Sequence, residues 1–191
     1  RSERLGVRVT VEGTTAVVRG CGGVLPEGPI VLPTKLAGTT SRFVTAVAAL
    51  GPGPYIIDGE APLRARPMAP LHDALMSLGT VVHPMDRQGH LPVQVRSGEP
   101  VRGRAVVRIR GDVSSQYISA LMMIGPYVGD GLRIELTTEL VSLPYVEMTA
   151  AVMAAFGVDG VRVMVTSGRH TIEVDSGRYR ASRYVIEPDA S

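Results

Sequence analysis

An order of strand, helix, strand, helix and two closing strands is written twice in this sequence, and a chain built that way has few folds open to it. Apolar alternation and helical periodicity predict strands at 29–32 and 54–58, helices at 39–50 and 67–78, and closing strands at 80–83 and 92–96. About 75 residues later the order returns, with strand 105–110, helix 114–124, strand 132–136, helix 144–156, and strands at 161–165 and 171–174. The punctuation repeats as well. "RPMAPLHDALMSLG" and "LPYVEMTAAVMAAFG" each place Pro in the first helical turn, where a missing N–H costs nothing, and each closes on Gly, the residue favoured just past a helix C-terminus. The expected class is α/β, with repeated βαβαββ units packed as one domain.

The ends of the chain extend the pattern. "RLGVRVTVEGTTAVVRG" puts Leu-Gly before two short β-runs, as "SLG" and "AFG" precede the closing strands of each unit. It reads as the back of a third unit, so two complete units plus the end of a third are expected, with the front of that third unit lying outside this chain. Near the other end 184–187 is strand-like, and Pro188-Asp189-Ala190-Ser191 suits a turn or a helix start.

Composition narrows the partners. Aromatic residues make up 4%, Trp is absent and the net charge is +2, which argues against base-stacking platforms and against a phosphate-backbone binder. Cys21 is the one cysteine, so an internal disulfide framework and a multi-cysteine metal site are excluded, in keeping with a reducing cytoplasm. No apolar run approaches the ~20 residues of a membrane-spanning helix. His72, His83, His90 and His170 lack metal-ligand spacing, and no metal site is expected. Met122, Met123, Met148 and Met153 lie on apolar helix faces, where filling a core is the expected role. Cys21, in "RGCGG", is read as an inert thiol, with a nucleophilic role as the alternative.

Polar clusters sit where strands turn into helices. "AGTTSR" offers Gly38 for close approach to the backbone, the hydroxyls of Thr39 and Thr40, and Arg42 one turn into the helix. "RARP" sets Arg64 and Arg66 before the next helix, where a guanidinium grips phosphate or carboxylate bidentately. Ser114-Ser115-Gln116 opens the third helix, and Ser142 precedes Pro144 and Tyr145 at the fourth. Any one cluster is explained by capping alone. Four equivalent corners carrying two arginines predict more, because helix N-termini gathered on one rim sum into an anion site.

The stretches "LAGTTSRF", "RARPMAPLHDALMSLG", "GDVSSQYISALMM" and "ELVSLPYVEMTAAVMAAFGV", in this order and spacing, resemble the enolpyruvyl transferase family, and within it the members that act on shikimate 3-phosphate. The resemblance implies the family's inverse α/β barrel, with two domains of three βαβαββ units each closing on the substrates. Residues 1–187 would be most of one substrate-binding domain and 188–191 the hinge to the second. The implied reaction moves the enolpyruvyl group of phosphoenolpyruvate to the 5-hydroxyl of shikimate 3-phosphate, releasing phosphate, on the way to aromatic amino acids; no cofactor is implied. Ser114, Ser115, Gln116, Ser142 and Tyr145 would hold shikimate 3-phosphate. Gly38, Thr39, Arg66 and Gln116 would reach phosphoenolpyruvate, with Arg42 and Asp189 in support. The acid–base groups of the family lie in the other domain, so this chain by itself is expected to bind substrate loosely without turnover.

The sequence also departs from the family pattern. Leu36 stands where Asn is usual, Leu143 where Lys is common, and Phe43 where Pro often follows the motif arginine, which leads us to expect altered sensitivity to glyphosate, a competitor for the phosphoenolpyruvate site. Three alternatives remain at this level: a relative using UDP-N-acetylglucosamine, a secondary-metabolism enolpyruvyl transferase, and a non-catalytic anion-binding module.

Overall fold

Two four-stranded sheets of identical topology carry the repeat in the computed structural model, which describes residues 2–166 and 168–186. Ahead of them, β1 (Arg8–Glu12) and β2 (Thr15–Arg19) form the antiparallel hairpin expected as the end of a third unit. The first complete unit runs β3 (Ile30–Pro33), α1 (Gly38–Ala48), β4 (Tyr55–Asp58), a short α2 (Ala61–Arg64), α3 (Ala69–Ser77), β5 (Val81–Pro84) and β6 (Val93–Arg96). The second runs β7 (Ala105–Ile109), α4 (Ser115–Ile124), β8 (Gly131–Leu136), α5 (Leu143–Ala155), β9 (Val161–Thr166) and β10 (Arg169–Asp175). The strand orders are β3-β4-β6-β5 and β7-β8-β10-β9.

Pairing directions fix where the helix starts lie. In the first unit β3 and β4 are parallel and β6 is antiparallel to both β4 and β5, so β5 runs the same way as β4. The second unit repeats this arrangement. Each of α1, α3, α4 and α5 therefore links two strands of like direction, and its N-terminus lies at their carboxyl ends, the edge where ligands gather in open α/β sheets. Proline occupies the first turn of α3 and of α5, and Gly79 and Gly157 follow them in the left-handed region (φ 84° and 88°) that glycine reaches without steric cost.

One contiguous apolar core runs through both units. Strands alternate cleanly against it, as in β7, where Ala105, Val107 and Ile109 are buried and Val106 and Arg108 are exposed. Helix α4 is buried on almost every side from Tyr117 to Met122, as a helix apolar all round must be. It packs against α1, α5 and β8. Helix α5 is as apolar, yet only Val146, Thr149 and Met153 are buried. Met148 is 53% exposed, so its expected core role is corrected: no described element covers that face of α5. Beside it a cavity of about 480 Å³ opens, walled by Phe43, Val47, Met123, Tyr145, Met153 and Phe156, with Cys21 half-buried in its lining.

A second correction concerns the strand expected at 184–187. Tyr184, Val185 and Ile186 form none, and Val185 and Ile186 are more than 80% exposed; β-propensity yields a strand only where a neighbouring backbone accepts the ladder. Glu187 and the hinge at 188–191, with Asp189, lie outside the described residues.

Candidate functional site

The two units meet at the carboxyl-end rim through the first turns of α1 and α4. Arg42, one turn into α1, donates from Nη1 to Oε1 of Gln116, and its guanidinium carbon lies 5.1 Å from the centroid of the Tyr117 ring. Because the Gln116 carbonyl oxygen accepts from Arg42, its amide N–H groups remain to donate outward. The Arg42 Nε is buried and makes no hydrogen bond among the described residues.

Gly38 begins α1 beneath this pair. A Cβ there would lie 2.9 Å from Arg66 Nη1 and 3.5 Å from Arg42 Nη1, so the missing side chain is what lets two guanidinium groups crowd over one helix start. The N-cap of α1 is Ala37, which makes no side-chain capping bond. Capping therefore does not explain the hydroxyls of Thr39 and Thr40.

The paired arginines of "RARP" have opposite fates. Arg64 forks onto Asp58 at the end of β4 (Nε to Oδ1 2.9 Å, Nη2 to Oδ2 2.8 Å) and also donates to the Gly59 carbonyl. The hydrogen-bonded carboxylate pushes the Arg64 pKa above its ordinary value, and the pair is neutral. Arg66 forms no ion pair among the described residues, so of these two arginines it is the one whose charge is left to meet an incoming anion.

At α4, Ser114 is a true N-cap: its Oγ accepts from the Gln116 N–H at 3.3 Å, while its own hydroxyl proton stays free to donate. Ser115 begins the helix beside it. Ser142 holds the N-cap position of α5 but makes no side-chain capping bond, and Tyr145 lies half-buried on the cavity wall. A hydrogen bond of 2.7 Å between buried Ser119 and Thr149 ties α5 to α4. Arg42 and Gln116 are thus hydrogen-bonded, the guanidinium ends of Arg42 and Arg66 both lie over Gly38, Ser114 and Ser115 share the turn of Gln116, and Thr39 adjoins Gly38. Ser142 and Tyr145 stand on the neighbouring helix and make no hydrogen bond to these arginines among the described residues.

Sequence reasoning missed three contributors. Asp58 neutralises Arg64 from six positions upstream. Tyr117, which the sequence reading did not single out, donates its hydroxyl proton to the Pro67 carbonyl. His90 places Nδ1 2.9 Å from the Arg64 carbonyl. The donors gathered here are guanidinium, amide, hydroxyl and uncapped helix N–H groups, a set suited to phosphate and carboxylate. No group of three or more His, Cys, Asp and Glu among the described residues is placed to hold a metal ion.

The chain is similar in sequence and in fold to known proteins. The sequence model of the family described as EPSP synthase (3-phosphoshikimate 1-carboxyvinyltransferase) matches residues 2–191. The chain is 37% identical over 192 residues to a 3-phosphoshikimate 1-carboxyvinyltransferase of Nostoc sp., covering 99% of this chain and 44% of that protein. With the enzyme of that name from Opitutus terrae it shares 41% over 180 residues, 93% of this chain and 40% of the relative. The chain therefore spans less than half the length of the curated relatives it matches. EPSP synthase from Acinetobacter baumannii superposes with a TM-score of 0.74 at 19% identity, over 94% of this chain and 38% of that one, a likeness of fold. Twin βαβαββ units, the inverse α/β barrel architecture they share with that structure, and a family match along nearly the whole sequence lead to one conclusion: the chain belongs to the EPSP synthase (3-phosphoshikimate 1-carboxyvinyltransferase) family.

Proposed function

We propose that the protein carrying this chain transfers the enolpyruvyl group of phosphoenolpyruvate to the 5-hydroxyl of shikimate 3-phosphate with release of phosphate, and that this chain supplies anion-holding groups for both substrates. The observation that carries the reading is the convergence of Gly38, Arg42, Arg66 and Gln116, from two units, on one rim with no carboxylate among the described residues neutralising Arg66. Ser114, Ser115 and Ser142 present hydroxyl donors at the starts of α4 and α5 to the 3-phosphate, and Tyr145 flanks the ring of that substrate. Arg66 forks onto phosphoenolpyruvate, the Gly38-Thr39 backbone approaches its carboxylate or phosphate, and the amide of Gln116 stands between the two ligands. Arg42 holds Gln116 in that orientation. Positive charge fixed in place before substrates arrive stabilises charge that shifts in the transition state without reorganisation at that moment. Asp189 is assigned the supporting position near the crossing to a second domain.

Steady-state kinetics on the whole natural protein test this. Arg66→Ala is expected to raise KM for phosphoenolpyruvate at least about tenfold, the loss of a charge-assisted fork. Ser115→Ala is expected to weaken shikimate 3-phosphate instead, and Arg64→Ala to change either substrate less than about twofold, since its charge is already paired. Turnover with UDP-N-acetylglucosamine in place of shikimate 3-phosphate, or equal effects from Arg64→Ala and Arg66→Ala, would overturn the assignment.

A further inference from the structure

The loop from Arg64 to Pro67, which carries Arg66, is tied at its start by the Arg64 side chain to Asp58 and Gly59 and further along by its backbone, with no bond from the Arg66 side chain. His90 Nδ1 is 2.9 Å from the Arg64 carbonyl, and since a carbonyl only accepts, the ring donates its Nδ1–H there. Three residues on, the Pro67 carbonyl accepts from the Tyr117 hydroxyl. The backbone N–H of Met68 donates to the Gly89 carbonyl at 2.7 Å and closes the same loop from the His90 side. Arg66 itself makes no side-chain hydrogen bond to the described residues, so its place above Gly38 depends on where this backbone is pinned.

Tyr117 is unlike the other two anchors because it belongs to the second unit. It follows Gln116 directly, its ring is 1% exposed, and the Arg42 guanidinium stacks on it. One side chain thereby touches the loop of Arg66 through its hydroxyl and the support of Gln116 through its ring. Pure packing would be satisfied by phenylalanine; among the described residues the hydroxyl has its one partner on the Arg66 loop.

We propose that Tyr117 is a positioning residue that couples the serine-glutamine start of α4 to the Arg66 loop, setting the guanidinium at the distance from Gln116 that phosphoenolpyruvate needs; this rests on the site reading given above. Tyr117→Phe keeps the ring and the Arg42 stack and removes only the bond to Pro67. In the whole natural protein it is expected to raise KM for phosphoenolpyruvate about fivefold, the order of one hydrogen bond, while the dissociation constant of shikimate 3-phosphate stays within about twofold. A double-mutant cycle isolates the route: in an Arg66→Ala background, Tyr117→Phe is expected to add nothing to that KM.

The outcomes separate cleanly. If Arg66→Ala leaves KM for phosphoenolpyruvate unchanged, the site reading fails and the coupling with it. If Arg66→Ala raises it but Tyr117→Phe does not, or the two effects multiply independently, the coupling alone fails. Equal losses for both substrates in Tyr117→Phe would make Tyr117 structural only. Should that variant not fold, His90→Ala asks the same question from the other anchor and His90→Gln, which retains an N–H donor, is expected to restore the low KM; unchanged KM in His90→Ala then overturns the pinned loop.

Discussion

His72 should make this protein acid-sensitive through one buried ring. It lies on the inner side of α3, 3% exposed, with Nε2 buried and unpartnered among the described residues. Burial, and secondarily the charge of nearby His90, push its pKa down from 6.5 to about 4. The unfolded chain therefore binds this proton at higher pH than the folded one. The stability associated with neutral His72 is fully present above pH 6.5 and is lost as pH falls through the folded value near 4. Between pH 7.5 and 4.5 that linkage amounts to ~2.5 kcal/mol. His72→Leu keeps a similar volume and removes the titration. Urea unfolding at both pH values, for both proteins, isolates the ring because carboxylate contributions are common to the pair. With a slope of ~2 kcal/mol per molar urea, the midpoint should fall on acidification by ~1 M more in the wild type than in His72→Leu. Equal shifts would refute the reasoning and mean that the folded ring is protonated without penalty.

Other expectations follow from single contacts. Gly38→Ala sets a methyl group 2.9 Å from Arg66 Nη1, the far end of a flexible side chain, so binding of phosphoenolpyruvate should weaken while the thermal midpoint moves little; a large loss of stability with unchanged binding would contradict this. Thr149→Val strands the buried Ser119 hydroxyl and should cost ~2 kcal/mol in urea unfolding, whereas Ser119→Ala, which leaves Thr149 bonded to the Tyr145 carbonyl, should cost nearer ~1 kcal/mol. The reverse order would place the hydroxyl pair outside the α4–α5 contact.

Much of the architecture was legible because it is written locally. The expected helix at 114–124 appears as Ser115–Ile124 with Ser114 as its cap, and the one at 144–156 as Leu143–Ala155. Strands shifted by a residue or two, as at 29–32, observed as Ile30–Pro33. The helix predicted at 67–78 begins later, at Ala69, and the short α2 ahead of it went unseen, because four residues carry too little period to register. The strand at 184–187 shows the converse error: a β-prone run has no say over whether a neighbour exists to pair with it.

The site divides along the same line. By itself the sequence determined that polar groups would stand at four strand-to-helix corners, since glycine, proline and hydroxyl residues act on the backbone within a turn of themselves. It also determined that the corners would recur, since the periodicity that makes the units is repeated. Tertiary structure alone decided that Asp58 takes Arg64 and leaves Arg66 its charge, that Arg42 crosses between units to Gln116, and that a tyrosine in an apolar helix ends on the Pro67 carbonyl. Those outcomes depend on which side chains the packing of two units brings within hydrogen-bond reach, a distance in space that spacing along a chain does not encode.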